Sequence, residues 1–273
     1  MNLPKSDTLP VPGATLYYEV RGAGPLLLMI AGGGGGSSFN GIASILASQY
    51  TVVTYDRRGA GRSTLDDVSA DIPLETQGDD AHHLLAALTN EPAYVFGSSA
   101  GALIGLDLVA RYPEQVRTLI SHEPPAHYLL PDDEQQSPEK PLELRNREGA
   151  SAALMKYMAQ SGVRYDDLEP GVELPPLNRE VSDAHAEAFF AHTFLAVRRY
   201  RLNVPALLAA PTRIVLAGAE AGHEFVAYRC AVAVAEQLGT TVVDFPSHHA
   251  GYISHPKAFA QKLSEVLQDE PAD

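Results

Sequence analysis

The residues best suited to chemistry lie in Gly97-Ser98-Ser99-Ala100-Gly101, where a short apolar run, Ala93 to Phe96, meets an apolar helical stretch beginning at Ala102. A G-x-S-x-G turn between a strand and a helix reverses the chain so sharply that its central residue is held in a strained conformation. Its neighbours two positions away must then be glycine or very small. Gly97 and Gly101 meet that demand around Ser99, and the same spacing argues against Ser98 as the reactive residue. The turn lifts the serine oxygen above the sheet and aims the first helical amides at the same point, so a nucleophile and an anion site arise together. An ordinary strand-to-helix turn with a capping serine is the bland alternative, and the flanking apolar runs argue against it.

A second stretch makes a related demand. The apolar Leu26 to Ile30 runs directly into five consecutive glycines, Gly32 to Gly36. A connector so bare of side chains between a buried strand and a helix suits a ligand that approaches the backbone and is held by amide N–H groups. Gly32, Gly33 and Gly34 are the candidates for that approach. The run lacks the Lys-Ser/Thr ending of a phosphate loop. Asp56, at the end of Thr51 to Tyr55, would suit the ribose of a dinucleotide. It is followed, however, by a second glycine-punctuated loop, Arg57 to Ser63, which such a site does not need. No cofactor and no metal is expected.

Three landmarks now stand in order: a glycine-rich loop after an apolar strand, a D-x-R-G-x-G-x-S segment at Asp56 to Ser63, and the turn at Ser99. In this the chain resembles the α/β-hydrolase superfamily over residues 15–125 and 213–267. One departure is Ala31-Gly32 where many members carry His-Gly, although the loop's amides do not depend on that side chain. The resemblance implies a mostly parallel, doubly wound α/β sheet with an inserted helical cap, and an oxyanion hole formed by the amides of Gly33 and Ala100. It also implies a histidine base after the last strand. His249 fits best because Ala250-Gly251 leaves its ring unobstructed, and His248 is the weaker candidate.

A serine–histidine pair works best when a carboxylate orients the imidazole. The family's usual Asp, in the loop after Arg213 to Gly218, is missing, since that loop reads Ala219-Glu220-Ala221-Gly222-His223-Glu224. Glu220 is one candidate. The other is Glu123, at the end of the preceding strand, Val116 to Ile120, from which a subset of haloalkane dehalogenases draws its acid. Glu123 is slightly favoured, because Pro124-Pro125 would stiffen its backbone, and both stay open. Asp56 and Arg57 are expected to pin loops beneath the site.

The elements that carry these residues are expected to form a core over residues 1–125 and 212–273, with a helical cap over 126–211. Helices are expected at Phe39 to Gln49, Glu75 to Leu88, Glu224 to Leu238 and His255 to Leu267, and in the cap at Ser151 to Gln160 and Ser182 to Tyr200. Phe189, Phe190, Phe194, Met155 and Met158 are candidates to line a substrate pocket, with plain packing of cap on core as the alternative for each. His185 and His192 lack companions at ligand spacing.

The chain has 273 residues, 45% hydrophobic and 20% charged, enough for a sizeable core. Its formal net charge of −14 opposes nucleic acid and anionic membranes as partners. A small-molecule substrate is the natural partner, and oligomeric state is left open. The single cysteine, Cys230, reads as a buried, inert thiol. No apolar run suits a signal peptide or a membrane span, so a cytoplasmic setting is expected. These features lead to a serine hydrolase acting on an ester, or less readily an amide, through an acyl-enzyme on Ser99. The alternatives are a proline-iminopeptidase-like aminopeptidase, a cofactor-free lyase or perhydrolase on the same triad, and a non-catalytic binding module on the hydrolase scaffold. A dehalogenase or epoxide hydrolase would need Asp where Ser99 stands.

Overall fold

A computed structural model describes residues 4–33, 35–135, 139–164, 166–174 and 179–269. Its nine strands are β1 (Lys5–Val11), β2 (Ala14–Arg21), β3 (Leu26–Ile30), β4 (Thr51–Tyr55), β5 (Thr64–Leu65), β6 (Ala93–Ser98), β7 (Val116–His122), β8 (Arg213–Ala219) and β9 (Val242–Phe245). They form one sheet in the order β1-β2-β4-β3-β6-β7-β8-β9, with β5 pairing β2. From β4 through β9 all neighbours are parallel, and the β1–β2 hairpin adds antiparallel strands at one edge.

Parallel strands buried on both faces need apolar side chains on both, and β3 with β6 supplies them. Leu28, Ile30 and Val95 face one core, while Leu27, Met29 and Phe96 face the other. Helices α2 (Leu74–Leu88) and α3 (Ala100–Arg111) cover the first face, and α1 (Asn40–Leu46) covers the second. Between β7 and β8 the chain inserts α4 (Glu139–Glu148), α5 (Ala150–Gln160), α6 (Arg179–Phe189), α7 (Leu195–Arg199) and α8 (Val204–Ala209). Then α9 (Val226–Gln237) joins the first face, and α10 (Gly251–Ser254) and α11 (Pro256–Gln268) join the second. Among the described residues no helix is long and apolar enough to cross a membrane.

Two details differ from the sequence reading. The hairpin strand β1 is exposed along most of its length, so its formation rests on backbone pairing from Lys5↔Val20 to Val11↔Ala14 and leaves no apolar pattern to read. The helix expected from Ser182 to Tyr200 is interrupted, because Phe190–Phe194 forms a wider π turn between α6 and α7. Such turns redirect side chains by one position, and here the redirected segment carries Thr193.

The strand order places the candidate groups. After β3 the chain moves outward to β4, then returns to build β6 on the other side of β3. In an open parallel sheet the loops at the carboxyl ends of strands flanking such a reversal diverge and leave a crevice. The glycine loop leaves β3 there, and Ser99 leaves β6 beside it.

Candidate active site

Ser99 stands between β6 and α3 with φ 55° and ψ −122°. A serine held at positive φ costs roughly 1–3 kcal/mol and persists only where its surroundings fix it. Its amide donates to the His122 carbonyl at 2.9 Å, and its carbonyl accepts from Ala102 N at 2.9 Å. The glycines on either side are required by packing. A Cβ on Gly97 would fall 2.3 Å from the Gly101 carbonyl oxygen, and one on Gly101 would fall 1.9 Å from that of Ile30. Gly32 lies against the same turn, for a Cβ there would sit 2.6 Å from the Ser99 Cβ and 3.2 Å from the Ala100 amide nitrogen. Gly33 follows, partly exposed; Gly34 lies outside the described residues.

The strand that leads to Glu123 is longer than expected, since β7 runs through His122 and places Glu123 one residue beyond its end. Glu123 has φ 49°, and its amide donates to the Ala217 carbonyl at 2.9 Å, anchoring it to β8. Its Oε1 accepts from Ala219 N at 3.0 Å, and its Oε2 meets His249 Nδ1 at 2.5 Å, with the two side chains 1% and 4% exposed. Burial alone would raise the Glu123 pKa. The hydrogen bond and charge of His249, with smaller help from His122 and the Ala219 amide, outweigh it and hold the carboxyl below its usual value. With Glu123 ionised, the proton of the imidazole stays on Nδ1, and Nε2 keeps its lone pair. Among the described residues neither that Nε2 nor the Ser99 hydroxyl makes a hydrogen bond.

Glu220 is placed elsewhere. It is exposed, and its Oε1 accepts from Ser247 N at 3.2 Å, so it steadies the loop before His249 without reaching the ring. His248 is likewise occupied locally, with Nδ1 accepting from Ala250 N at 3.1 Å. Sequence reasoning passed over His122. This ring is fully buried, with its centroid 6.1 Å from that of His249 and its Nδ1 3.4 Å from Ser98 Oγ. Burial pushes its pKa down to about 4, the neighbouring Glu123 opposing, so it stands beside the site as a neutral group.

Beneath the glycine loop, Asp56 accepts from Gly36 N at 2.8 Å and from Arg62 N and Nε at 2.9 and 2.8 Å. Arg58 is spent on a bidentate pair with Asp80 at 2.6 and 2.5 Å. Arg57 donates to the Gly32 carbonyl, to Gln77 Oε1 and, at 3.1 Å, to Thr193 Oγ1. The guanidinium thus joins the glycine loop to the π turn of the insertion, a link between residues 136 apart that no local pattern announces. From α6, His185 comes close to the Gly33 backbone, and the Phe189 ring would stand 3.7 Å from a Cβ on Gly33.

The other candidates sort by position. Phe189 is brought to the glycine loop, whereas Phe190 and Phe194 pack on each other within the insertion, their rings tilted by 55° with centroids 5.5 Å apart among Ala150, Ala153 and Ala186. Met155 is corrected outright, because it is 59% exposed. Cys230 is fully buried, and burial pushes its thiol up to about 12. Among the described residues no three His, Cys, Asp or Glu side chains gather as a metal site.

A family model described as alpha/beta hydrolase fold matches residues 25–256. The chain belongs to the α/β-hydrolase family. It is 41% identical over 270 residues to an uncharacterized hydrolase, YraK, of Bacillus subtilis (strain 168), covering 97% of each chain. Similarity to a zearalenone hydrolase of Cladophialophora bantiana is 27% over 284 residues, again covering 97% of each. Among solved structures, a hydrolase from Pseudomonas aeruginosa PA01 superposes with a TM-score of 0.68 at 22% identity, covering 98% of this chain and all of that one, a likeness of fold. The protein is a hydrolase of this family.

Proposed function

We propose that the protein is a serine hydrolase that cleaves a small-molecule carboxylic ester, or an amide, through an acyl-enzyme on Ser99, with no cofactor. His249 Nε2 takes the hydroxyl proton as Ser99 Oγ attacks the carbonyl carbon. The amides of Gly33 and Ala100 hold the resulting oxyanion, each such donor being typically worth about 3 kcal/mol in the transition state. The imidazolium, stabilised by Glu123, then protonates the departing alkoxide or amine. Water enters, loses its proton to His249 and releases the acid from Ser99. The insertion between β7 and β8 acts as the cap, with Phe189 above the oxyanion loop.

The observation that carries this reading is the buried bond between His249 Nδ1 and Glu123 Oε2, made by residues from two separate loops beside a serine at φ 55°. A carboxylate and an imidazole buried together need a reason to be there, and orienting a base is one. The names of the relatives, hydrolases throughout, agree with the class of reaction. Turnover of short-chain p-nitrophenyl esters tests it: wild type releases acid and nitrophenol, and Ser99→Ala loses at least a thousandfold in kcat. Undiminished turnover in Ser99→Ala would sink the reading, as would ligand released unchanged by the wild type.

A further inference from the structure

Past Glu123 the chain runs through Pro124, Pro125 and Ala126 to His127, in a short turn at His127–Leu129. His127 is only 6% exposed, and both of its ring nitrogens are buried without a hydrogen-bond partner among the described residues. Buried polar atoms are nearly always paired, so an imidazole orphaned at both nitrogens points to a group that is supplied from outside. Burial, then the charge of Arg198, pushes its pKa down to about 3, and the neutral ring offers one N–H.

Arg198, on α7, is the second half of the observation. It is partly buried, and its guanidinium makes no ion pair and no hydrogen bond among the described residues. The groups that act on it are Tyr157, Cys230 and Arg201, none of them a carboxylate. Glu123 is engaged by His249, and Glu134 by Arg229. The two segments are tied together: Leu202 N donates to Tyr128 Oη at 2.9 Å, and Arg201 lies 4.3 Å over the Tyr128 ring. Tyr157 extends the same lining, its ring 5.7 Å from Phe189, which covers Gly33, and 5.6 Å from Phe194.

We propose that Arg198 and His127 form a carboxylate-binding subsite beneath the insertion, so that the substrate carries an ionised carboxylate in addition to its scissile carbonyl. The guanidinium fork and one imidazole N–H match the two oxygens of a carboxylate, and the aromatic lining from Tyr157 to Phe189 suits a short apolar spacer between that anion and the reacting carbon. The subsite deepens the reading of Ser99 as an ester- or amide-cleaving nucleophile and rests on it for its catalytic meaning.

The test compares charged and neutral esters in two series: mono-p-nitrophenyl adipate against p-nitrophenyl hexanoate for an anionic acyl group, and 4-carboxyphenyl butyrate against phenyl butyrate for an anionic leaving group. Wild type should favour the anionic ester at least tenfold in kcat/KM in one series, mainly through KM. Arg198→Met should shrink that ratio at least tenfold and Arg198→Lys should restore part of it, each variant being checked by thermal melting. No preference in either series, or a preference that persists in Arg198→Met, overturns the subsite. Calorimetry with adipate on the Ser99→Ala protein separates this from the catalytic reading. Adipate binding that weakens tenfold when Arg198→Met is added supports the subsite even where no ester turns over. Equal binding with and without Arg198→Met, or no binding to Ser99→Ala itself, removes it while leaving the serine chemistry to stand on its own data.

Discussion

Replacing Glu123 by glutamine removes one charge while keeping shape, and the surroundings dictate what the amide must do. Ala219 N donates to Oε1 at 3.0 Å and is buried, so the amide oxygen stays there and the NH2 group turns to His249 Nδ1. Nδ1 must then accept, which moves the imidazole proton to Nε2, where a lone pair is needed to receive the Ser99 proton. The charge is lost as well. An imidazolium and a carboxylate with charge centres about 4 Å apart attract by about 4 kcal/mol at an effective dielectric of 20, and that is on the order of a thousandfold in rate. Glu123→Gln should therefore lower kcat for a p-nitrophenyl ester by at least about a thousandfold with little change in KM. Glu220→Gln should change it less than about threefold, because an amide oxygen can still accept from Ser247 N. Both are read by steady-state kinetics beside a circular dichroism melt. A larger loss in Glu220→Gln than in Glu123→Gln, or a loss below tenfold in Glu123→Gln, would refute the assignment of the acid.

Two further outcomes follow from packing and from burial. Gly101→Ala places a methyl 1.9 Å from the Ile30 carbonyl oxygen, backbone that cannot yield without moving β3, and should destabilise the fold by on the order of 3 kcal/mol in urea titration; a change under about 1 kcal/mol would contradict the packing. His122 titrates at about 4 in the fold against 6.5 in the open chain. Between these values the unfolded state binds the extra proton, so stability rises with pH there. Wild type should lose up to ~1.4 kcal/mol per pH unit from this group as pH falls from 6.5 toward 4. His122→Asn should flatten that slope by about one proton, and parallel curves for the two proteins would refute it.

The core and the serine turn were legible because each depends on local pattern. The apolar runs of β3 and β6, and glycines forced by a strained turn, carry their constraint within a few residues. The choice between Glu123 and Glu220 was not, since it turns on where β7 stops and on a contact across 126 residues. Likewise, nothing near Thr193 indicates Arg57. Such pairs meet only after the insertion has folded back over the sheet, and single-chain periodicity reports which face of an element is apolar, not what it finally touches. The hairpin strand β1 escaped for the opposite reason, as an edge strand needs partners for its backbone more than apolar side chains.

The most direct measurement of the central claim is intact-mass spectrometry after exposure to a fluorophosphonate probe. The account predicts one covalent adduct per chain in the wild type, none in Ser99→Ala, and labelling slowed by orders of magnitude in Glu123→Gln. A wild type that stays unmodified, or an adduct that survives in Ser99→Ala, would contradict an activated serine at the turn between β6 and α3.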